Sequence, residues 1–476
     1  MLAKRLAVNT LTLATRSSPA TRRSRALSSH QAPPPGRPAR RWLLALCLLV
    51  GAASLDSRLQ AEEKTDPVKS DPVTSREPRA YEDATQPPPG FTDGDTPLAL
   101  RDVYDKPFLN NLWRRADFGG YTELEYHSEE DGIQGIPQGF RMHRTNLFFF
   151  TEITDRLRFG SEIEFETEFE GANNSRAIET NVEMAFIDWT IYEEFVIRGG
   201  ALLAPLGRIN VNHDGPVREL TERPLVSTYV IPTTLTEPGI GANGVIHVWE
   251  EDLAVNYEAY AVNGFNLLDA NGNLAVATTQ QEQLLRSGRT SLGGDNNGGV
   301  ASTGRLGINA VEHVEVGGSW HAGTYDERSD NVLSILAADG AVSYACCGVD
   351  FGLEGEVAVA DFQRDTFART AGVPGRFWGY YVQVSAGHMP DVLSTFLPHV
   401  FGAEGAKFTL AFRYDWIDLD GDRGEILEPG INFRPSADTV FKFSYRHSGQ
   451  SFGLRNVPGR QTFDDDMFVF SLSSYF

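Results

Sequence analysis

The sequence predicts an all-β protein: a transmembrane antiparallel β-barrel of sixteen strands, preceded by a disordered N-terminal periplasmic segment. Three observations support this prediction: a final segment with bilayer-length alternation, a rhythm of short and long connections, and strands with one apolar and one charged face. Among the 476 residues, no run of eighteen or more apolar residues occurs beyond the N-terminal region, which excludes a helical membrane protein. A barrel has no such run because half of each strand faces water.

The final segment, 466–476, has the two-residue period of a β-strand. Phe468, Phe470, Leu472 and Phe476 lie on one face, and smaller or more polar residues lie on the other. About ten residues of such alternation cross a bilayer as a tilted strand. An aromatic terminal residue after this strand resembles the C-terminal signature of bacterial outer-membrane barrels, which the barrel-insertion machinery reads. A soluble edge strand is the alternative.

Residues 1–53 are predicted to be a targeting segment. Nine basic residues and no Asp or Glu precede residue 56, and an apolar run from Trp42 to Val50 is followed by small residues, with cleavage expected after Ala53. This pattern favours a bacterial signal peptide, with an organelle transit peptide as the alternative. The rest of the chain carries 33 basic and 64 acidic residues, a net charge of −31, which argues against nucleic acid as a partner.

Residues 54–117 form a separate region that is rich in Asp, Glu, Pro and Thr and poor in apolar residues. The Pro87-Pro88-Pro89 run lies within it. This composition predicts a disordered periplasmic linker. A short helix or plug at 108–113 is the alternative reading of its end.

From Phe118 to Phe476 the sequence predicts the barrel domain. Period-2 alternation bounded by turn residues gives sixteen strand candidates. They are 118–127, 143–153, 156–168, 181–192, 195–203, 242–250, 253–263, 303–312, 314–325, 341–351, 353–364, 376–388, 405–418, 425–434, 439–448 and 466–476.

Tight turns alternate with longer loops along this domain. A barrel with both ends on the periplasmic side has short turns there and long loops outside, and its strand number is even. The connection 389–404 departs from the rhythm, and the turn parity leaves fourteen or eighteen strands open. Tight turns are predicted at 154–155, 193–194, 251–252, 313, 352 and 435–438, and longer loops at 128–142, 169–180, 204–241, 264–302, 326–340, 365–375, 419–424 and 449–465.

The two faces of the strands show which side meets water. Segment 161–169 places four glutamates on one face, a cost too large for lipid, so this face is expected to line an aqueous lumen. Arg413, Lys442 and Arg446 are likewise expected on inward faces, opposite aromatic residues. Sixteen strands leave an open channel rather than a core filled with side chains. The four glutamates are Glu162, Glu164, Glu166 and Glu168.

The remaining chemistry of the sequence indicates neither a cofactor nor catalysis. Cys346 and Cys347 are adjacent and cannot link distant segments, so we predict no disulfide framework and no metal cluster. None of the ten His residues stands in a recognisable Ser/His or Asp/His motif. We therefore expect a protein that is not an enzyme and needs no cofactor, although some outer-membrane barrels are hydrolases.

Three short motifs resemble the phosphate-selective porin O/P family of Gram-negative outer membranes. They are Phe-Arg-Met-His-Arg at 140–144, Gly-Tyr-Tyr-Val-Gln at 379–383 and Phe-Arg-Tyr at 412–414, continuing to Asp418. The resemblance implies a sixteen-stranded, trimeric porin of the bacterial outer membrane, in contact with lipid and lipopolysaccharide, that passes small polar or ionic solutes. Anion preference, such as for phosphate, is implied by the best-known members. Those porins guide phosphate along lysines, whereas this barrel has only Lys407 and Lys442. We therefore do not infer phosphate selectivity for this protein from the resemblance.

Loop 204–241 is the expected selectivity element. It is rich in Pro and small residues and offers Arg208, His213, Arg218 and Arg223. We expect it to fold inward as a constriction that faces the acidic early strands, with Arg413, Lys442 and Arg446 across the lumen. Opposed charges across a narrowing would create a transverse field for polar solutes. A loop that packs outside the barrel is the alternative.

Two further readings stay open. Asp418, Asp420 and Asp422 have the spacing of a calcium loop, but they also fall on a predicted hairpin, where Asp and Gly are good turn residues. The second alternative concerns function: a structural or adhesive barrel with a plugged lumen, whose large loops are binding surfaces.

Overall fold

Sixteen antiparallel strands form a closed barrel in the part of the chain that the computed structural model describes. The described residues are 110–113, 116–128, 138–170, 175–249, 253–276, 283–290, 292–310, 313–450 and 466–476. Each strand pairs with its neighbours in the chain, and β17 closes the ring by pairing with β2. The strands of the ring are β2 Ala116–His127, β3 Gly139–Thr154, β4 Leu157–Glu170, β5 Ser175–Tyr192, β6 Phe195–Leu203, β7 Thr236–Trp249, β8 Leu253–Val262, β9 Ala301–Ala310, β10 Val314–Thr324, β11 Val332–Cys346, β12 Val349–Phe362, β13 Arg376–His388, β14 Lys407–Leu419, β15 Asp422–Arg434, β16 Thr439–Gln450 and β17 Met467–Tyr475.

The predicted fold class and strand number are confirmed. The predicted signal segment 1–53 and most of the predicted linker 54–117 lie outside the described residues. Near the end of that linker, a short strand, β1 (Asn110–Trp113), pairs antiparallel with the beginning of β2, where the sequence suggested a linker, helix or plug.

Five short α-helices lie in the connections, counted over the residues that the structure describes. None of the helices among the described residues is long and apolar enough to cross a membrane. They are α1 Leu225–Tyr229, α2 Leu284–Ser287, α3 Thr366–Ala371, α4 Asp391–Phe396 and α5 Pro398–Phe401.

The wall has an apolar outer face and a polar inner face, as the alternation predicts. On β14, Leu410 and Phe412 are exposed on the outside, while Arg413 and Asp415, which follow them in the strand, are buried inside. On β4, Phe165 points out and Glu164 points in. Exposed apolar side chains recur around the wall, an arrangement that is stable only where lipid covers them. The aromatic residues Trp378 and Trp416 pack together near the strand ends, with ring centroids 4.4 Å apart.

Short turns and long loops alternate between the two ends, but some predicted boundaries were wrong. Gly352 lies within β12, and the tight turn is Cys347–Gly348 instead. The predicted loop 326–340 belongs mostly to β11, and residues 236–241 of the predicted loop 204–241 belong to β7. A glycine or proline is a turn signal in sequence, yet a strand accepts both where its partner allows close approach. The connection after β13 is long, as expected, and contains α4 and α5.

Candidate functional site

The connection from β6 to β7, residues 204–235, runs through the interior of the barrel; we call it the β6–β7 loop. Its first part is fixed to β10 and β12. The Arg208 guanidinium donates to Glu315 at 2.6 Å and to Glu354 at 3.3 Å, and its backbone N–H donates to Glu356 at 2.5 Å. Ser227, further along the loop, also donates to Glu356. Arg208 is therefore a buried anchor of the loop.

The middle of the loop contacts three strands near the closing pair of the barrel: β5, β16 and β17. His213 Nε2 lies 3.1 Å from a carboxylate oxygen of Glu183 on β5. The Tyr475 hydroxyl of β17 donates to Asp214 at 2.9 Å. The carbonyl oxygen of Gly215 accepts from Lys442 Nζ at 2.6 Å. These bonds hold the loop against the wall through backbone and side-chain groups together.

The last part of the loop is fixed to β14 and β15. Arg413 donates to the Glu222 carbonyl oxygen at 2.8 Å, and Asp415 accepts from the Leu225 N–H at 3.2 Å. Arg434 donates to the Pro216 carbonyl oxygen at 2.8 Å. The loop thus has hydrogen bonds to strands on opposite sides of the barrel, and it crosses the lumen.

Apolar residues of the loop fill the lumen next to β11–β14. Leu225, Val226 and Ile231 belong to a buried cluster with inward residues of these strands and with residues of the β8–β9 connection, such as Leu284 and Leu285. Burial of such side chains contributes roughly 1.5–3 kcal/mol each. The loop is therefore held by a hydrophobic contact as well as by its polar bonds.

From the sequence we expected the basic residues of β14 and β16 to lie across the lumen from the acidic early strands. The structure does not place them there. In the closed barrel only β17 lies between β16 and β2. Lys442 Nζ on β16 therefore lies 3.8 Å from Glu123 on β2. Arg413 pairs with Asp415 and Glu428, both at 2.7 Å, and Arg446 lies 3.7 Å from Glu222. These charges are balanced locally and do not form one half of a transverse field.

A second basic group, which we call the arginine group, consists of Arg223, Arg286 and Arg289. Arg223 and Arg286 both donate to the Thr233 carbonyl oxygen at 3.1 Å, and Arg289 donates to the Thr234 carbonyl oxygen. Each residue is half-buried. Arg223 Nε and Nη2 have no hydrogen-bond partner within the described structure.

Two residues of the arginine group, Arg223 and Arg289, have lowered pKa values. Burial, reinforced by repulsion from Arg144 and Arg218, lowers the pKa of Arg223 to about 10. Burial and the charges of Arg286 and Arg223 likewise lower the pKa of Arg289 to about 10. Carbonyl oxygens, which are the acceptors here, carry no full negative charge. The opposite charges that act on the group are those of Glu164 and Glu183 on Arg223, and those of Glu166 and Glu179 on Arg289.

Acidic side chains of β4 and β5 stand near the arginine group. Glu166 and Glu179 are close enough to act electrostatically on Arg289. Glu166 keeps 19% of its side chain exposed, and it accepts from His143 at 2.9 Å. The half-buried acids and arginines together mark one part of the lumen where charged groups keep some exposure to solvent.

Of the predicted pore-lining residues, the structure brings Arg223 and Glu166 to this half-buried region. The others are buried at the contact between the loop and the wall: the loop covers the inward side chains of the strands, and its own side chains pack against the wall. The buried ones are Arg208, His213, Arg218, Glu162, Glu164, Arg413, Lys442 and Arg446. The side chain of Glu168 lies outside the described residues.

The calcium candidate forms a two-residue hairpin. β14 ends at Leu419 and β15 begins at Asp422, and positive φ angles at Asp420 and Gly421 are typical of a type I′ turn. Asp418 accepts from the Gly421 N–H and from Arg423. Among the described residues, these carboxylates are not one of the groups whose oxygen atoms converge as metal ligands do. The structure thus accounts for them as turn residues.

Sequence reasoning missed Arg286, Arg289, Glu179 and Glu183. The two arginines lie in and after α2, inside a long loop without periodicity, so no pattern marked them as inward-facing. Glu183 and Glu179 lie on β5, where alternation could have placed them on the same face as the inward glutamates of β4.

Comparisons with known proteins give the following similarities. No family model matches the chain. A protein of Aquifex aeolicus (strain VF5), itself uncharacterized, is 28% identical over 340 residues, which are 69% of this chain and 74% of that protein. The anion-selective porin from Comamonas acidovorans superposes with a TM-score of 0.46 and 10% identity over 76% of this chain and 99% of its own. OmpF of Salmonella typhi, in complex with daunomycin, superposes with a TM-score of 0.46 and 11% identity over 78% of this chain and 100% of its own.

A third solved structure, the outer membrane channel DcaP of Acinetobacter baumannii, gives a TM-score of 0.43 and 12% identity over 76% of this chain and 98% of its own.

The class of the protein follows from its own geometry. It is a sixteen-stranded transmembrane β-barrel of the outer-membrane type, with a polar interior crossed by the β6–β7 loop.

Proposed function

We propose that the protein is a porin-like channel of the bacterial outer membrane, through which small polar or charged solutes diffuse passively. The β6–β7 loop acts as its constriction, and the arginine group favours small anions, phosphate among them. The observation that carries the proposal is the half-buried arginine group, which faces acidic side chains beside the loop.

Charges of opposite sign that lie near one another support such a role. The charges of Glu166 and Glu179, on β4 and β5, act on Arg289, as do those of Arg223 and Arg286. A field between them would order water and admit polar solutes in preference to apolar ones. Arginine binds phosphate and carboxylate through paired N–H donors, so transit past three arginines would be selective but slow.

The test is single-channel conductance of the full-length protein in a planar bilayer, with the reversal potential measured under a salt gradient. We expect stepwise openings and anion preference, and we expect Arg223→Ala and Arg289→Ala to shift the reversal potential toward cation preference. Arg376→Ala is the matched control, since its side chain is 61% exposed and pairs with Asp361 at the end of the barrel. A shift of equal size in this control would contradict the role of the arginine group.

A second candidate function is a structural or adhesive barrel with a plugged lumen. The observation that favours it is the nearly complete burial of charged wall residues: Glu123 and Lys442 are 0% exposed, and Arg446 is 1% exposed. Under this reading the loops 204–235 and 263–300 fill the barrel and offer surfaces at its outer end. Absence of conductance from correctly folded protein would support it against the channel.

We also propose the partners that the barrel architecture suggests. The apolar outer face suits outer-membrane lipid and lipopolysaccharide, and a homotrimer would cover part of that face. Phe476 exchanges two backbone hydrogen bonds with Gly120 at the closing strand pair, and it would present the terminal signal to the barrel-insertion machinery. Cross-linking in native membranes would reveal the trimer, and deletion of Phe476 should reduce the amount of assembled barrel.

A further inference from the structure

A group of potential metal ligands joins the β6–β7 loop to the wall. It consists of His213 from the loop, Glu162 from β4 and Glu183 from β5, and one ligand atom from each lies within 4.8 Å of the others. His213 is 0% exposed, Glu162 is 0% exposed and Glu183 is 4% exposed. A second loop carboxylate, that of Asp214, lies 3.8 Å from His213 Nε2.

The orientation of His213 suits a metal ligand. Its Nδ1 lies 3.0 Å from the Asn210 carbonyl oxygen. A carbonyl oxygen can only accept, so Nδ1 carries the hydrogen and Nε2 is left to face the Glu183 carboxylate at 3.1 Å. Metal-bound histidines use this arrangement, in which the ring nitrogen remote from the ion donates to a backbone carbonyl or a carboxylate.

A second side chain at the group has an unused ligand atom. Asn146 is 0% exposed, and its Nδ2 donates to both Glu162 and Glu183 at 2.8 Å. Its Oδ1 has no hydrogen-bond partner in the described structure. Because the two ends of a carboxamide are interchangeable by a flip, the same side chain can place its oxygen on a cation held between the carboxylates.

Among the described residues, two other groups of His and Glu bring potential metal ligands together. They are less suited to a metal ion, because arginine side chains already pair with their carboxylates. Arg141 donates to Glu125, and Arg446 lies 3.7 Å from Glu222. Glu183, by contrast, accepts hydrogen bonds from the neutral side chains of Asn146 and Thr234, and a further hydrogen bond joins it to Glu162.

We propose that His213, Glu162 and Glu183 bind one divalent transition-metal cation, which ties the β6–β7 loop to the barrel wall. Asp214 and Asn146 supply the further oxygen ligands. One imidazole with several carboxylates suits Zn²⁺ or a similar ion, whereas Mg²⁺ prefers oxygen ligands and retained water. The bound ion would join three segments that are distant in sequence, so its binding free energy would stabilise the closed position of the loop.

The experiment uses the full-length barrel in detergent micelles, stripped with a chelator and titrated with ZnCl2 by calorimetry, with bound zinc counted by elemental analysis. We expect one Zn²⁺ per chain, and at least tenfold weaker binding in both His213→Ala and Glu183→Gln. Glu183→Gln is nearly isosteric and keeps the measurement meaningful if His213→Ala fails to fold, which circular dichroism would show.

His321→Ala is the matched control, because His321 is equally buried and pairs with Glu237 at 2.9 Å on other strands. Zinc binding should be unchanged in this variant. The proposal is overturned if the wild-type protein binds no stoichiometric Zn²⁺, if Mg²⁺ binds as tightly, or if His321→Ala weakens binding as much as His213→Ala does. Binding is measured without conduction, so failure of the channel proposal would leave this result interpretable.

Discussion

Arg208→Ala should release the β6–β7 loop from the far side of the barrel. The side chain is 3% exposed and donates to Glu315 and Glu354. Removal of one partner from a buried ion pair costs about 3–5 kcal/mol. Glu315 keeps a second partner, Arg305 at 3.4 Å, so we expect the lower end, about 3 kcal/mol. If the loop detaches rather than the barrel unfolding, that energy raises the displaced-loop population by roughly two orders of magnitude.

The displaced population can be read by limited proteolysis of the folded barrel with a protease of low sequence specificity. Cleavage within 204–235 follows the population of the displaced state when the loop moves faster than it is cut. We therefore expect about 100-fold faster cleavage, accompanied by longer channel openings in a planar bilayer.

Arg198→Ala is the matched control for this prediction. Arg198 is also buried and pairs with Asp188 at 2.7 Å, but both residues belong to the wall, on β6 and β5. Its loss should destabilise the barrel without releasing the loop. Unchanged cleavage in Arg208→Ala, or equal acceleration in Arg198→Ala, would refute the conclusion that Arg208 anchors the loop.

Two further predictions concern the same loop. Burial alone would raise the pKa of Glu222, but His127 and Arg446 outweigh it and hold that pKa below 4.5. The charged form of Glu222 therefore stabilises the folded loop above pH 4.5, and this stabilisation is lost as pH falls through the lower pKa of the folded state. Proteolysis of the loop should accelerate below pH 4.5, and the acceleration should be less steep in Glu222→Gln. Gly207 has a φ of +70°, and an added Cβ would lie 2.6 Å from Ile231 and 2.9 Å from Glu356. Gly207→Ala should therefore displace the loop at a cost of about 1–3 kcal/mol, measured by the same cleavage assay, whereas Gly293→Ala, with open space around it, should leave cleavage unchanged.

The strand pattern was legible in the sequence because each strand meets two different media. Lipid selects apolar side chains on one face and the interior selects polar ones on the other, so the alternation on β4, β14, β16 and β17 predicted their faces correctly. Most connections were also marked in the sequence by turn residues, because the backbone geometry of a turn depends on its own few residues. The exception at Cys347–Gly348 shows the limit: a type I′ turn there begins with a residue that is not a usual turn former.

The contents of the lumen could not be read in the same way. The sequence indicated a loop rich in Pro and charged residues, and it named Arg223 and Glu166, which do lie in the half-buried region. It also named Arg208 and Lys442 as pore-lining, whereas both are buried at the contact between the loop and the wall. Polar inward-facing residues of a barrel look alike in sequence whether water or the polar groups of a loop lie against them, because either can supply their hydrogen bonds.

The sequence alone therefore determined the barrel and the facing of its residues, since these depend on local periodicity and on the difference between lipid and water. It predicted sixteen strands but left fourteen or eighteen open, and the structure decided the number. Only the tertiary structure decided which charges meet. Closure of β17 on β2 brought Lys442 beside Glu123, and the path of the β6–β7 loop placed His213 between two glutamates and Arg223 beside Arg286 and Arg289. These contacts join residues up to several hundred positions apart, and the position of each depends on the packing of the whole barrel.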